Sequence, residues 1–136
     1  MSKLLGIDFG LKRVGIAETD EMQIIASPLI TIPTKEIFSF LTKYLKSNKV
    51  ELVVLGYPTK LDGTDTDITD DVRKFKAKIE NTFQLKVALY DERFSSKMAS
   101  AAIAQSGLSK KKREDKSLVD KVSATIILRD FMGAQN

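Results

Sequence analysis

The stretch Leu4-Leu5-Gly6-Ile7-Asp8-Phe9-Gly10-Leu11-Lys12-Arg13-Val14-Gly15-Ile16-Ala17-Glu18-Thr19 decides how this chain folds. Leu4–Phe9 is an apolar run broken by one carboxylate, the pattern of a buried strand. Gly10-Leu11-Lys12-Arg13 reads as a turn and Val14–Thr19 as a second strand, so the two predict a hairpin. A charged side chain inside such a strand is rare unless it is paired or binds a metal. Asp8 is therefore the first candidate site residue.

Working outward, a third strand is expected over about Leu29–Ile32, bounded by Pro28 and Pro33. Thr34 is expected to cap a helix whose apolar residues Ile37, Phe38, Leu41, Tyr44 and Leu45 recur at helical spacing. Leu52-Val53-Val54-Leu55-Gly56 is a short continuous apolar run, the mark of a strand covered on both faces. A polar segment, Thr59–Thr66, separates it from a helix carrying Val72, Phe75, Ile79 and Phe83. A strand over Lys86–Tyr90 follows, then a helix starting at Ser95 or Ser96 and ending near Gly107. Ser109–Lys116 reads as a charged linker, and a last helix as running from about Ser117 to Met132. The order β-β-β-α-β-α-β-α implies a mixed five-stranded α/β sheet, its first three strands antiparallel and the later ones parallel, with helices on both faces. No internal repeat or second domain is visible, so residues 1–136 are expected to form one domain.

The residue types narrow the chemistry. The chain has neither histidine nor cysteine, which excludes a Ser-His-Asp triad, a thiol nucleophile and Cys- or His-type zinc sites. What remains is Asp, Glu, Lys, Arg, Ser, Thr and Tyr, together with hard divalent ions. A net charge of +4 and a pI near 9.2 mildly favour a polyanionic partner. No apolar stretch approaches the ~18 residues of a membrane span. The opening residues also lack the basic-apolar-small order of a signal peptide. A cytoplasmic protein with no membrane partner is expected, either a monomer or a homodimer.

Two further carboxylates stand where structure alone does not ask for them. Glu92 closes the strand Lys86-Val87-Ala88-Leu89-Tyr90-Asp91-Glu92-Arg93. Adjacent strand residues face opposite ways, so Asp91 and Glu92 cannot both enter one site, and Glu92 is preferred. Asp120 shares a helical stripe with Ala124, Ile127 and Phe131, the face expected to pack inward, opposite Arg129. Each acid also has a plain structural reading. Asp8 could stabilise the hairpin turn, Glu92 could pair with Arg93, and Asp120 could be a first-turn acid favoured by the helix dipole. Gly6 and Gly10, on the face of Asp8, would let ions and phosphate approach, although strand-end glycines serve turns equally well. Lys12 and Arg13 follow Asp8 closely enough to meet a phosphate. Lys110-Lys111-Lys112-Arg113 is the densest basic cluster, suited to neutralising phosphates without reading sequence, or else a solvated linker diluted by Glu114 and Asp115.

Taken together, these blocks resemble a known family. Leu5–Ala17 resembles the opening GxDxGxKRxGxA block of the YqgF family, the Holliday-junction-resolvase-like proteins also called RuvX. Gly56-Tyr57-Pro58 with Asp62-Gly63 is similar to that family's GxP…DG segment, and Asp91-Glu92-Arg93-Phe94-Ser95-Ser96 to its DERxT/S-T/S block. Asp120 with Ala124, Ile127 and Leu128 is similar to its closing DxxAAxxIL helix. The blocks occur in order across nearly the whole chain. Tyr57 stands where Leu is usual, Ser95-Ser96 where Thr is common, and Ser123 in place of the first Ala of the closing pair.

The resemblance implies a ribonuclease H-like fold and a nuclease that matures the 5′ end of precursor 16S ribosomal RNA, with Holliday-junction resolution as an alternative activity. It also implies an acidic site of Asp8, Glu92 and Asp120 holding Mg²⁺ or Mn²⁺. Lys12, Arg13, Arg93 and the Lys110–Arg113 cluster would lie against structured RNA or branched DNA. Two-metal phosphodiester cleavage requires ions ~3.5–4 Å apart, so the three carboxylates would have to converge. The competing class is a nucleic-acid-binding factor that keeps the fold without chemistry. A sugar-kinase or actin-like ATPase also carries D-x-G on its first strand, but it needs a second half that 136 residues do not hold.

Overall fold

The computed structural model describes residues 2–57, 69–91 and 116–135. Its centre is the strand read first, β1 (Lys3–Asp8), which pairs antiparallel with β2 (Arg13–Thr19) through Leu5↔Glu18 and Asp8↔Gly15. β3 (Ala26–Pro33) extends the hairpin antiparallel to β2. α1 (Ile37–Ser47) then leads to β4 (Val50–Tyr57), which lies parallel to β1 on its other side. α2 (Thr69–Phe83) crosses to β5 (Lys86–Asp91), parallel to β4, and α3 (Lys116–Gln135) closes the described chain. The sheet order is β3-β2-β1-β4-β5, the mixed arrangement that the strand spacing predicts.

β1 is central, and this explains why Leu4–Ile7 is apolar on both faces. Alternate residues enter two cores. Leu5, Ile7, Ile16, Val53 and Leu55 pack against Ile37 and Leu41 of α1 and Val72, Phe75 and Ile79 of α2. Leu4, Ala17 and Val54 pack on the other face against Ala124, Ile127 and Leu128 of α3. Burying one large aliphatic side chain contributes about 1.5–3 kcal/mol. A strand with both faces covered therefore pins three elements at once.

Two sequence readings need correction. β3 begins at Ala26 and ends at Pro33, so both prolines lie within it. They are tolerated because β3 is an edge strand, where a missing N–H costs no ladder bond. Pro28 also sits at a register shift, since Ile16 faces Ile30 while Ala17 faces Pro28. Thr34 does not cap α1 through its side chain. It opens a 3₁₀ turn (Thr34–Glu36) that has no side-chain cap. Its hydroxyl donates instead to the Gly10 carbonyl at 2.6 Å, and its N–H donates to the Lys12 carbonyl at 3.0 Å. Thr34 thus ties the start of α1 to the hairpin turn. The expected helix ending near Gly107 lies outside the described residues, as does the expected linker Ser109–Lys116 except for Lys116, which opens α3.

Candidate active site

The side chain of Asp8 takes its direction from the strand beneath it. Leu5, Ile7 and Phe9 all point into the core under α1 and α2. Phe9 packs at a tilt against Phe75 with ring centroids 4.8 Å apart. Asp8, one residue from each of Ile7 and Phe9, must therefore face the α3 side with Leu4 and Gly6. It is half-buried at the carboxyl end of β1, where open α/β sheets gather ligands. Both of its cross-strand neighbours are glycines, Gly15 on β2 and Gly56 on β4. No side chain of either adjacent strand stands directly beside the carboxylate, which leaves room at the sheet surface for an ion or a phosphate oxygen.

Gly6 does not provide that room, contrary to its expected part in an approach to Asp8. A Cβ on Gly6 would lie 3.0 Å from the Ala124 carbonyl oxygen and 3.0 Å from Leu128 Cβ. The glycine lets α3 rest directly on β1. Gly10 serves the turn, since a Cβ there would stand 2.5 Å from the Arg13 carbonyl oxygen. The glycines that clear the site, Gly15 and Gly56, were visible in the sequence, but only the strand register identifies them as neighbours of Asp8.

The basic residues of the turn follow. Lys12 is exposed. Arg13 opens β2 two residues before Gly15, so it shares the face of Asp8, at the end of the sheet just beyond the carboxylate. The two bonds from Thr34 hold this turn in place. Thr34 is a positioning residue that periodicity could not reveal, because its partners are 24 and 22 residues away in sequence.

β5 ends at the same edge, since Gly56, the partner of Asp8, faces Tyr90, and Tyr57 faces Asp91. Tyr90 is on the α3 side, where it packs against that core and its hydroxyl donates to Asp130 of α3 at 3.2 Å. Glu92 and Arg93 follow directly but lie outside the described residues, as does the Lys110–Arg113 cluster.

α3 carries the last acid. Arg129 and Met132, near its carboxyl end, line a cavity with Ile24, Ile25 and Ala26, at the end of the sheet where β1 begins. Because Ala124 and Leu128 cover Gly6, the amino-terminal turns of α3 run toward the Asp8 end of β1. Position 120 precedes Ala124 by one turn, about 6 Å. Asp8 lies two residues beyond Gly6, about 6.6 Å. Of the stripe expected to pack inward, Ala124 and Ile127 are fully buried and Phe131 partly so, while Arg129 is exposed. The helix starts at Lys116, so Asp120 is its fifth residue, past the first turn, which contains no acidic residue. This removes the helix-dipole reading of Asp120. The Asp120 side chain is outside the described set, and among described residues no three acidic side chains form a cluster.

The comparisons with known proteins bear on this arrangement. The family model RuvX, described as Holliday junction resolvase, matches residues 2–134. A Flavobacterium johnsoniae protein, named as a candidate pre-16S rRNA nuclease, is 46% identical over 136 residues, 99% of each chain. A Flavobacterium psychrophilum protein with the same name is 47% identical over 133 residues, 97% of each chain. Among solved structures, T. thermophilus RuvC in complex with a Holliday junction substrate superposes with a TM-score of 0.58 at 14% identity, covering 100% of this chain and 97% of that one. The fowlpox virus Holliday junction resolvase gives 0.53 at 14% identity, covering 97% and 99%. At that identity the likeness establishes the shared ribonuclease H-like fold.

Proposed function

The chain belongs to the RuvX family, and on that premise we propose that it is a divalent-metal-dependent nuclease processing the 5′ end of precursor 16S ribosomal RNA. The single observation that carries the chemistry is Asp8, a carboxylate on the central strand of the sheet, flanked on both neighbouring strands by glycine. A carboxylate half-buried at the carboxyl end of a central strand has a desolvation cost, which coordination of a divalent ion would offset. An all-oxygen donor set on a rigid strand suits Mg²⁺ or Mn²⁺, and the chain has no histidine or cysteine to favour a softer ion.

In this reading Asp8, Glu92 and Asp120 are the ligands. Two described features support this reading: Tyr90, two residues before Glu92, packs on the α3 side, and the backbone of α3 runs from Ala124 over Gly6 toward the carboxyl end of β1. When bound, a pair of such ions supplies an activated water and stabilises the leaving oxygen. The chain's own work is to hold the scissile phosphate. Lys12 and Arg13 on the tethered turn, Arg93 beside Glu92 and the Lys110–Arg113 cluster would neutralise flanking phosphates and set the register of the strand without reading its bases. The whole of residues 1–136 acts as one nuclease domain, and its substrate places it in the bacterial cytoplasm. No helix of the described residues is long and apolar enough to cross a membrane.

The test is a Mn²⁺ titration against an end-labelled precursor carrying the 16S 5′ leader, with a four-way DNA junction in parallel. Wild type is expected to cut the RNA only when the ion is present. Asp8→Asn should keep its circular dichroism spectrum and lose cleavage by at least 100-fold. Full activity in folded Asp8→Asn would end the metal reading, and preferential cutting of the junction would move the assignment to branched DNA.

A further inference from the structure

Ser123 presents a second feature of α3 that family membership does not explain. Its side chain is fully buried, and its hydroxyl oxygen has no hydrogen-bond partner among the described residues. A buried hydroxyl without a partner destabilises the fold, because the hydrogen bonds it made to water are not replaced. Alanine would fill the same place without that cost, and the neighbouring Ala124 is just as fully buried. A mid-helix serine can usually satisfy itself on the carbonyl four residues back, yet this one does not.

Its position suggests what the hydroxyl is for. Ser123 lies three residues after Asp120, and i, i+3 neighbours on a helix have Cβ atoms about 5–6 Å apart. Ser123 also precedes Asp130 by two turns, so both share the flank of α3 that meets Tyr90 of β5. That flank faces the edge where Gly56 and Tyr90 lie level with Asp8.

We propose that Ser123 is a positioning residue whose hydroxyl donates to the Asp120 carboxylate when the divalent ion is bound, holding that ligand in its coordinating orientation. The inference rests on the metal reading above. A carboxylate turned to an ion by a hydroxyl donor is a short, charge-assisted bond, and outer partners of this kind contribute about 10–100-fold to metal affinity.

The experiment measures Mn²⁺ affinity by electron paramagnetic resonance of the free ion, alongside metal-free melting and cleavage kinetics. Ser123→Ala should bind Mn²⁺ about tenfold more weakly and lower kcat, with KM for the RNA unchanged. Its metal-free melting temperature should stay level or rise, because an unsatisfied group has been removed. Ser123→Cys, close in size but a weaker donor, should fall between wild type and alanine. If wild type binds Mn²⁺, Asp8→Asn abolishes binding and Ser123→Ala binds like wild type, the positioning role is refuted while the metal reading stands. If wild type itself binds no Mn²⁺, both fall together. A Ser123→Ala protein that loses metal-free stability and affinity in parallel would reduce Ser123 to packing and overturn the proposal.

Discussion

Gly6→Ala tests the seam on which the proposed site depends. The new Cβ would sit 3.0 Å from a backbone oxygen and 3.0 Å from a Cβ, both fixed to the helix rather than at the end of a flexible side chain. Neither atom can rotate away, so α3 must retreat from β1 by a few tenths of an ångström to restore ordinary contact. Every contact across the seam then loses part of its dispersion energy. Leu4, Ala17 and Val54 meet Ala124, Ile127 and Leu128 across the same seam. Overpacking of this kind costs about 1–3 kcal/mol. For a chain of 136 residues that corresponds to a melting temperature lower by roughly 3–12 °C. Cleavage at 25 °C should fall further than the unfolded fraction accounts for, by about 10–100-fold, because the helix carrying Asp120 moves relative to Asp8. Thermal melting by circular dichroism and single-turnover cleavage would measure the two effects. Gly133→Ala is the control: nothing lies within 4 Å of its Cβ position, and an exposed helical glycine replaced by alanine should raise stability by about 0.8–1 kcal/mol. A Gly6→Ala protein that melts within about 1 °C of wild type and cuts normally would refute the close β1–α3 contact and its role in placing the site.

The remaining predictions concern charge. The Tyr44 hydroxyl is pushed well above the usual tyrosine range, chiefly by burial and then by its 2.6 Å bond to Glu18, which also accepts from Lys3 at 3.2 Å. Its folded value exceeds its unfolded value near 10, so the associated stability is complete below about pH 10 and is lost as pH rises through the folded value. Wild-type melting temperature should therefore drop between pH 9 and 11.5 more steeply than that of Tyr44→Phe, which at neutral pH costs about 1 kcal/mol; parallel curves would contradict the linkage. Replacing Lys110, Lys111, Lys112 and Arg113 with Gln should flatten the plot of log affinity against log salt by up to about 3 and leave cleavage at saturating RNA nearly unchanged. An unaltered slope would show that the cluster is only solvated chain.

Most of the architecture was legible in the sequence, because strand and helix periods are local properties. Leu4–Ile7 and Leu52–Leu55 announced doubly covered strands, and Val72, Phe75 and Ile79 announced a helix face, since burial on one side repeats every second or every 3.6 residues. Asp8 stood out for the same reason, as a charge that broke a local pattern. What the sequence could not express is which distant residues become neighbours. The pairing of Asp8 with Gly15 and Gly56 follows from strand register. The use of Gly6 to seat α3 follows from a helix crossing, and the diversion of Thr34 from cap to turn anchor follows from a hydroxyl that found a carbonyl 24 residues away. Even the prolines of β3 were misjudged as boundaries, because only the sheet order makes β3 an edge. Sequence alone thus determined the elements and the candidate acids, through side-chain periodicity and the cost of burying charge. Tertiary structure decided which glycines clear the space beside Asp8, which helix rests on Gly6 and which hydroxyl is buried without a partner among the described residues, because those depend on contacts between residues far apart in the chain.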